Sequence, residues 1–283
     1  MDWATWDQAA IAALVSLGLW VLFRPFARFR IARALMPACL EFALVAVLYS
    51  IWRLARELPF THEAGALDRA RQIHHLQQFL HFPSEISLQH FVIRYDWLAS
   101  FTNAYYATVH VPALIVFMIW MFIWHRDRYP HWRNGLALVT LGCLIIRFVR
   151  VAPPRFIDEL GFVDLSQKLG FDVYGPVGYG VSDQFAAMPS IHVAWAAVVV
   201  FGVVSASRSR WRWLVALHLP ITIFVVSATG HHWWLDDIVA IALLMAGLRL
   251  DTVARRLIAR RRGVELDQET DAGPAESLVS EPR

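Results

Sequence analysis

Two histidines and two acids stand close together between Gly230 and Asp237, where one apolar run ends and the next begins (sequence GHHWWLDD). Ionisable side chains beside apolar runs are costly in a membrane, so they indicate a functional site. If a helix starts near His231, then His232 and Asp236 lie at positions i and i+4 on one helix face. The carboxylate can then accept from one imidazole nitrogen and leave the other nitrogen able to attack an electrophile. The same residues could instead form a polar cap on a helix end.

A second motif, Met188 to His192 (sequence MPSIH), also stands where a polar loop enters an apolar run. Ser190 is expected to cap the helix that follows, because a serine hydroxyl accepts from unpaired backbone N–H groups. A helix start also presents N–H groups and the positive end of the helix dipole to an anion. Two helix starts, each carrying a histidine, therefore predict a phosphate-binding pocket.

Together these motifs resemble the type 2 phosphatidic acid phosphatase superfamily, in which Pro-Ser-x-His is followed about forty residues later by His-x-x-x-Asp. The segments 152–155 (APPR) and 229–232 (TGHH) are most similar to the inositol phosphorylceramide synthase-like branch of that superfamily. The resemblance extends from about Phe101 to Leu250. It implies an all-helical integral membrane enzyme that acts on a lipid-linked phosphate ester.

The resemblance also implies a role for each residue of the two motifs. His232 attacks phosphorus to form a phosphohistidine, Asp236 orients His232 and stabilises its charge, and His192 protonates the leaving oxygen. His231 is the weaker candidate for the nucleophile, because Leu235 and not an acid stands four residues after it. We expect His231 to contribute to phosphate binding instead. This chemistry needs positioning and positive charge, and no metal or other cofactor is expected.

The cations that would hold the phosphate depart from the superfamily pattern. Its Lys-x6-Arg-Pro motif is absent, and Val226 stands where an arginine usually precedes the nucleophilic histidine by six residues. Arg147, Arg150 and Arg155 occupy the region of the missing motif. Arg155 follows two prolines that restrict the backbone just before it, so we expect it to be the main phosphate clamp. Arg150 and Arg147, three residues apart at a helix end, and Ser190 would assist it.

The composition is that of a membrane protein. Hydrophobic residues make up 57% of the chain and occur in long blocks, which predict transmembrane helices. The net charge of +3 is small and the arginines cluster beside these blocks, which indicates membrane topology and argues against nucleic acid binding. The first residues are acidic and aromatic, so no cleavable signal peptide is expected. Cys39 and Cys143 lie inside apolar runs, so neither a disulfide nor a metal site is expected.

About seven transmembrane helices are predicted, together with an amphipathic helix at the membrane interface within residues 53–100. Pro83 and Ser84 would end that helix and begin a shorter one, and the histidines of this segment match no zinc-binding spacing. Residues 1–262 are expected to form one membrane domain, and residues 263–283 a disordered acidic cytoplasmic tail. The predicted spans are Ala9 to Phe23, Ala34 to Trp52, Phe101 to Trp124, Asn134 to Val149, Ser190 to Ser205, Trp213 to Ala228 and His232 to Leu250.

Arginines occupy alternate loops, after the first, third, fifth and seventh predicted spans. By the positive-inside rule these loops are cytoplasmic, which places the N-terminus outside. Both histidine motifs then fall at the outer ends of their spans. We therefore expect the active site on the extracytoplasmic side of the cell (inner) membrane. The three arginines between residues 147 and 155 break the rule on that side, and a lipid phosphate is the expected reason.

The acceptor of the phosphoryl group stays open at this point. Water would make the protein a lipid phosphate phosphatase, and an inositol-like polyol would make it a phosphotransferase. The alternative from another class is a membrane transporter that uses His192, His232 and Asp236 as a proton relay. Such a transporter predicts broken helices or internal pseudo-symmetry. A di-metal membrane oxidase is a further rival, but it would need more histidines in clustered pairs.

Overall fold

The computed structural model describes residues 4–57, 65–165 and 185–271, and these residues are mostly α-helical, with no strand among them. The all-helical prediction is therefore confirmed for the described part of the chain. Short turns of 3₁₀-helix lie at Arg24–Phe26, Pro154–Phe156 and Asp158–Leu160. The α-helices are α1 (Trp6–Phe23), α2 (Arg30–Glu57), α3 (Ala66–Phe79), α4 (Glu85–Val92), α5 (Asp96–Thr108), α6 (His110–Trp124), α7 (Tyr129–Ile146), α8 (Ile191–Ala206), α9 (Arg212–Ala216), α10 (His218–Ala228) and α11 (Trp234–Asp271).

Helices α1 and α2 form a hairpin whose outward faces are apolar and exposed. The helices approach each other through small residues, with Ala9, Ala13 and Ser16 buried on α1 at spacings of four and three. Small side chains let two helices pack closely in a membrane, where lipid offers no hydrophobic drive for association. The Ser16 hydroxyl donates across the hairpin to the carbonyl of Cys39 (2.8 Å). Both helices are long and apolar enough to cross a membrane, as the sequence predicted.

The segment between α2 and α5 contains two short helices, α3 and α4, as its periodicity predicted. Ser84 begins α4, because its side-chain oxygen accepts from the backbone N–H of Ser87 (3.4 Å). Pro83 precedes it, in the short connection from α3. These helices expose part of their apolar residues but bury polar ones, which the site described below explains.

The third predicted span, Phe101 to Trp124, is formed by two helices with a bend between them. Helices α5 and α6 meet at Val109 with a bend of 50°. Pro112 explains the break, because it has no N–H to donate to the carbonyl of Thr108 and its ring crowds that carbonyl. The bend places His110 at the start of α6, in the interior of the bundle.

Helices α6, α7, α8, α10 and α11 enclose the main hydrophobic core. Helix α8 is buried on most of its surface, and Gly202 on α8 leaves room for the ring of Phe117 on α6. Any larger side chain at Gly202 would collide with that ring, so a glycine is required for the close packing. Fully or nearly fully buried members of this core include Phe117, Met121, Val139, Val198, Val225 and Leu244.

By length and apolar composition, two of the described helices could cross a membrane, and the bent pair α5 and α6 could provide a third crossing. The segments predicted as the fourth to seventh spans form α7, α8, α9 with α10, and α11, which pack together in the bundle. Helix α11 continues to Asp271, so residues 263–271 of the predicted tail lie in it. Residues 272–283 of that tail lie outside the described residues, as do residues 166–184 of the loop before α8.

Candidate active site

A tight turn between α10 and α11 presents the paired histidines. Gly230 has a positive φ of 69°, a conformation in which a Cβ atom is strained and would also stand 2.8 Å from the ring of Phe162. The backbone N–H of His231 donates back to the carbonyl of Val226 (3.0 Å), as does that of His232 (3.3 Å). The chain therefore turns just before α11, and both imidazoles are buried.

The ring of His232 is held by a backbone carbonyl and, less closely, by Asp236. Its Nδ1 lies 2.6 Å from the carbonyl oxygen of Ala187 and 3.5 Å from Oδ2 of Asp236. A carbonyl oxygen only accepts, so Nδ1 carries the proton and Nε2 of the neutral ring has the lone pair. The i, i+4 spacing does bring Asp236 to His232. However, the closest partner that fixes the tautomer is Ala187, which the sequence pattern did not indicate.

The backbone N–H groups at the start of α11 donate to side chains of the protein. This corrects the prediction that this helix start would bind phosphate. The backbone N–H of Trp233 donates to Asp236 Oδ2 (2.8 Å), that of Trp234 to Glu85 Oε1 (3.4 Å), and that of Leu235 to Gln77 Oε1 (3.0 Å). These N–H groups already have acceptors, so the start of α11 does not offer them to a phosphate. Its role in this structure is to hold the histidines in place.

Two of these acceptors are buried polar side chains of α3 and α4. Gln77 and Glu85 are 2% and 4% exposed, and Gln77 Nε2 donates to Glu85 Oε1 over 2.6 Å. Burial raises the pKa of the Glu85 carboxyl above its ordinary value, although its hydrogen bonds partly offset the effect. One turn further along α4, the amide of Gln89 donates to the carbonyls of Val163 (3.0 Å) and Ala228 (3.2 Å). Helices α3 and α4 are thus part of the site.

The Pro-Ser-x-His motif forms the second half of the site at the start of α8. Ser190 caps α8 as predicted, because its Oγ accepts from the backbone N–H of Val193 (3.3 Å). The N–H of Ser190 donates to the carbonyl of Asp236 (3.3 Å), which joins the two motifs at one end of the bundle. The rings of His192 and His232 have centroids 5.7 Å apart. The two predicted catalytic histidines are therefore neighbours in the fold.

His231 lies in a buried aromatic setting beside the other histidines. Its ring stacks on that of Tyr106 with centroids 4.1 Å apart, and Tyr106 also packs against His192 (4.6 Å). The Thr229 hydroxyl donates to the carbonyl of Val225 (2.8 Å), so it accepts from His231 Nδ1–H over 2.7 Å. Burial, with nearby positive charge, lowers the pKa of His231 well below its ordinary value. His231 is therefore a neutral ring with a fixed orientation.

The three candidate phosphate-binding arginines occupy different places. The side chain of Arg155 is 3% exposed, its Nε lies 3.7 Å from Asp164 Oδ2, and its backbone N–H donates to the carbonyl of Gly230 (3.2 Å). Arg155 is thereby fixed beside the paired histidines. Arg150 is also buried, and its carbonyl accepts from Arg69 of α3 (2.6 Å). Arg147 instead donates to the carbonyl of Ala55 at the end of α2 (3.4 Å).

The backbone around these arginines is tied to both motifs. Val151 donates to the carbonyl of Phe185 (2.9 Å) and accepts from the N–H of Ala187 (3.1 Å), the residue whose carbonyl holds His232. The indole N–H of Trp233 donates to the carbonyl of Ala152 (3.0 Å). The segment 150–155 and the paired histidines therefore form one connected polar network.

Four residues that contribute to the site were not among those predicted from the sequence. Tyr106 and His110, four residues apart at the bend between α5 and α6, both contact the ring of His192. Polar residues at this spacing inside an apolar run are a signal that could have identified them. Gln77 and Glu85 carry no such signal, because their partners on α11 lie about 150 residues away in the chain. Among the described residues, no group of three or more potential ligands could hold a metal ion.

Neighbouring histidines and a buried arginine lie together at one end of the helical bundle, an arrangement suited to a phosphate ester. The sequence model of the PAP2 superfamily matches residues 71–250, and the chain belongs to this superfamily. Membership indicates a phosphatase-type enzyme that acts on phosphoesters. The match begins within α3 and excludes α1 and α2. No curated protein and no solved structure matches the chain.

Proposed function

We propose that the protein is a multi-pass membrane enzyme that cleaves a lipid-linked phosphate ester through a phosphohistidine on His232. The observation that carries this proposal is the hydrogen bond from His232 Nδ1 to the carbonyl of Ala187. It leaves the lone pair on Nε2, the nitrogen that must attack phosphorus. Asp236, 3.5 Å from Nδ1, adds a negative charge that stabilises the ring once it becomes positive.

In the first step, His232 Nε2 forms a bond to phosphorus while the bond from phosphorus to the ester oxygen breaks. His192 gives a proton to that leaving oxygen, which leaves as an alcohol. In the second step, an acceptor oxygen attacks phosphorus, the N–P bond breaks, and the acceptor's proton goes to His192. General acid and base help from a positioned histidine is worth about 10²–10⁴-fold in rate.

Arg155 is the cation best placed to hold the non-bridging phosphate oxygens, because it is buried and fixed beside His231. Arg150 and Ser190 would support it from the connected network, and His231 would offer a neutral ring. Arg147 is the weakest of the proposed ligands, since its side chain reaches towards α2. A guanidinium fork matches two phosphate oxygens at once, which a lysine does not.

The membrane arrangement that we propose has about seven spans and an active site on the extracytoplasmic side of the inner membrane. The histidine motifs meet at one end of the bundle. At the opposite end, Arg128 donates to the carbonyl of Ser205 (2.5 Å) and Arg212 to that of Ser207 (3.1 Å). Arginines collected at the end away from the site agree with a cytoplasmic location for that end.

The acceptor that we propose is either water or an inositol-like polyol. The resemblance of segments 152–155 and 229–232 to the inositol phosphorylceramide synthase-like branch supports the polyol. One observation also fits the alternative of a proton-coupled transporter, namely the bend of 50° between α5 and α6. Membership of the PAP2 superfamily favours the enzyme.

The test is product analysis with purified full-length protein and a phosphate-labelled lipid phosphate, with and without myo-inositol. We expect labelled phosphate or a labelled inositol ester, at rates that EDTA does not change. His192→Ala should lose turnover, and His90→Ala, which alters an exposed histidine on α4, is the matched control. Activity that disappears with EDTA and returns with zinc or magnesium would contradict the mechanism. Uptake of protons without any lipid turnover would favour the transporter.

A further inference from the structure

A second polar cluster lies behind the bend between α5 and α6. His110 is 3% exposed, and its ring interacts with the backbone of Tyr106, but neither ring nitrogen has a hydrogen bond of normal geometry to the residues that the structure describes. Nε2 of His218, at the start of α10, is likewise buried without a hydrogen-bond partner among the described residues. Nδ1 of His218 pairs with the hydroxyl of Tyr105 over 2.5 Å. Buried polar groups are nearly always hydrogen-bonded, so each exception requires an explanation.

This cluster is continuous with the proposed active site. The rings of His110 and His192 meet edge to face, with centroids 5.0 Å apart. The ring of His218 lies 5.9 Å from that of His110, and the ring of Tyr105 lies 5.5 Å from it. A ligand that contacts His192 therefore has further nitrogen atoms and a phenol next to it.

The chemistry of His192 indicates what that ligand is. In the proposed mechanism His192 protonates the departing alcohol and removes the proton from the acceptor, so an alcohol oxygen must lie beside it in both steps. A neutral imidazole has one donor and one acceptor, which matches a hydroxyl group. A phosphate, which only accepts, would not use the acceptor nitrogens.

We propose that His110, with the Tyr105–His218 pair, forms a subsite that binds the additional hydroxyl groups of a polyol acceptor. This inference rests on the proposed function and deepens it. The acceptor's reacting hydroxyl forms a new O–P bond as the N–P bond to His232 breaks, and its proton passes to His192. The other hydroxyl groups stay intact and hydrogen-bond to His110 and His218. A site that hydrogen-bonds a hydroxyl discriminates strongly against an analogue that lacks it.

The experiment compares glycerol with 1-propanol as acceptor, because the two alcohols have the same carbon chain and differ in two hydroxyl groups. Full-length protein is given a phosphate-labelled lipid phosphate and each alcohol in turn. The ester of that alcohol, the phosphate released to water, and the rate of phosphoenzyme formation are measured. The variants are His110→Phe, which keeps a ring, His110→Gln, which keeps a donor and an acceptor, and Tyr105→Phe. His90→Phe is the matched control.

We expect the wild type to prefer glycerol, and His110→Phe to lower the glycerol to propanol ratio by about tenfold, the loss of one or two hydrogen bonds. Phosphoenzyme formation should change much less, and His110→Gln should recover part of the preference. Tyr105→Phe loses only a hydroxyl, so it tests the subsite even if His110→Phe does not fold. The subsite proposal is wrong if the wild type forms the esters of glycerol and 1-propanol equally well. It is also wrong if the variants that remain active keep the wild-type preference for glycerol. A wild type that forms no phosphoenzyme would instead overturn the proposed function.

Discussion

The two helix pairs that begin the chain differ in what they bury. Helices α1 and α2 bury small residues against each other and expose large apolar ones, such as Leu14 and Ile31 at 69% and 75%. Helices α3 and α4 are much shorter, yet they bury Gln77, Glu85 and Gln89 almost completely. The first pattern suits a membrane anchor, because lipid solvates apolar side chains. The second pattern suits a brace for a polar site, because buried polar groups must pair within the protein.

Their contacts with the rest of the chain agree with this difference. The α1–α2 hairpin reaches the bundle mainly through α2, where Glu41 accepts from Arg133 (2.6 Å) on α7 and Trp52 packs on Trp195. Helices α3 and α4 contact α11 and the loops that carry the histidines and Arg155. The superfamily match includes α4 and most of α3 but neither α1 nor α2. We therefore infer that α3 and α4 belong to the catalytic unit.

Among changes in these two helix pairs, the largest effect on turnover is expected for Glu85→Ala. This change removes the acceptor of Trp234 N–H and leaves the amide of Gln77 buried without its carboxylate partner. A buried group left unpaired costs about 1–3 kcal/mol, so misplacement of the start of α11 should lower kcat by up to about 10²-fold. Glu85→Gln keeps an acceptor oxygen and should lose much less. Turnover of a correctly inserted Glu85→Ala protein at the wild-type rate would show that α4 does not brace the site.

A smaller effect is expected for Gln89→Leu, which has a similar volume but no amide. Gln89 joins α4 to both the N–H and the carbonyl of Val163 and to the carbonyl of Ala228. Loss of these bonds, at roughly 1 kcal/mol each, should lower the thermal midpoint. The value of kcat should fall by no more than about tenfold, because Gln89 bonds to the loop at Val163 and to the end of α10 and not to the start of α11. Thermal unfolding in detergent and steady-state turnover measure the two effects. Equal stability of variant and wild type would mean that other contacts hold the loop that contains Val163.

The pH dependence of stability tests the buried carboxyl itself. The pKa of Glu85 is raised from 4.5 by burial. A carboxyl whose pKa is higher in the folded than in the unfolded protein contributes stability below the unfolded pKa and loses it as the pH rises through the folded pKa. The thermal midpoint of the wild type should therefore fall relative to that of Glu85→Gln as the pH increases above 4.5. If the thermal midpoints of the wild type and Glu85→Gln change with pH in parallel, the Glu85 carboxyl does not cause the pH dependence.

The smallest effect on turnover is expected in the α1–α2 hairpin. Glu41→Gln weakens the two contacts with Arg133, at 2.6 and 2.7 Å, while Arg133 keeps its bonds to Asn134. The thermal midpoint should fall, because a charge-assisted pair is lost, but kcat should stay within about twofold of the wild type. If Glu41→Gln loses as much kcat as Glu85→Ala, then the α1–α2 hairpin supports the active site as much as α3 and α4 do, and the distinction between the two pairs is wrong.

The sequence predicted the parts of this molecule that depend on local pattern. Apolar runs identified the helices, and the break at Val109 could have been read from Pro112. The Pro-Ser-x-His and His-x-x-x-Asp motifs located two helix starts that meet in the fold. The contact of Ala187 with His232 could not be predicted, because it uses a backbone carbonyl. The pairing of Gln77 and Glu85 with α11 depends on long-range packing, which leaves no periodic signal in either segment.

The most direct test of the central claim is to find the covalent intermediate. Wild-type protein is mixed with a phosphate-labelled lipid phosphate, quenched in alkali to protect phosphohistidine, and mapped by mass spectrometry beside His231→Ala and His232→Ala. We predict phosphate on His232 in the wild type and in His231→Ala, and no label in His232→Ala, because Nε2 of His232 has the lone pair set by Ala187. Label on His231, or turnover of His232→Ala at the wild-type rate, would contradict the account.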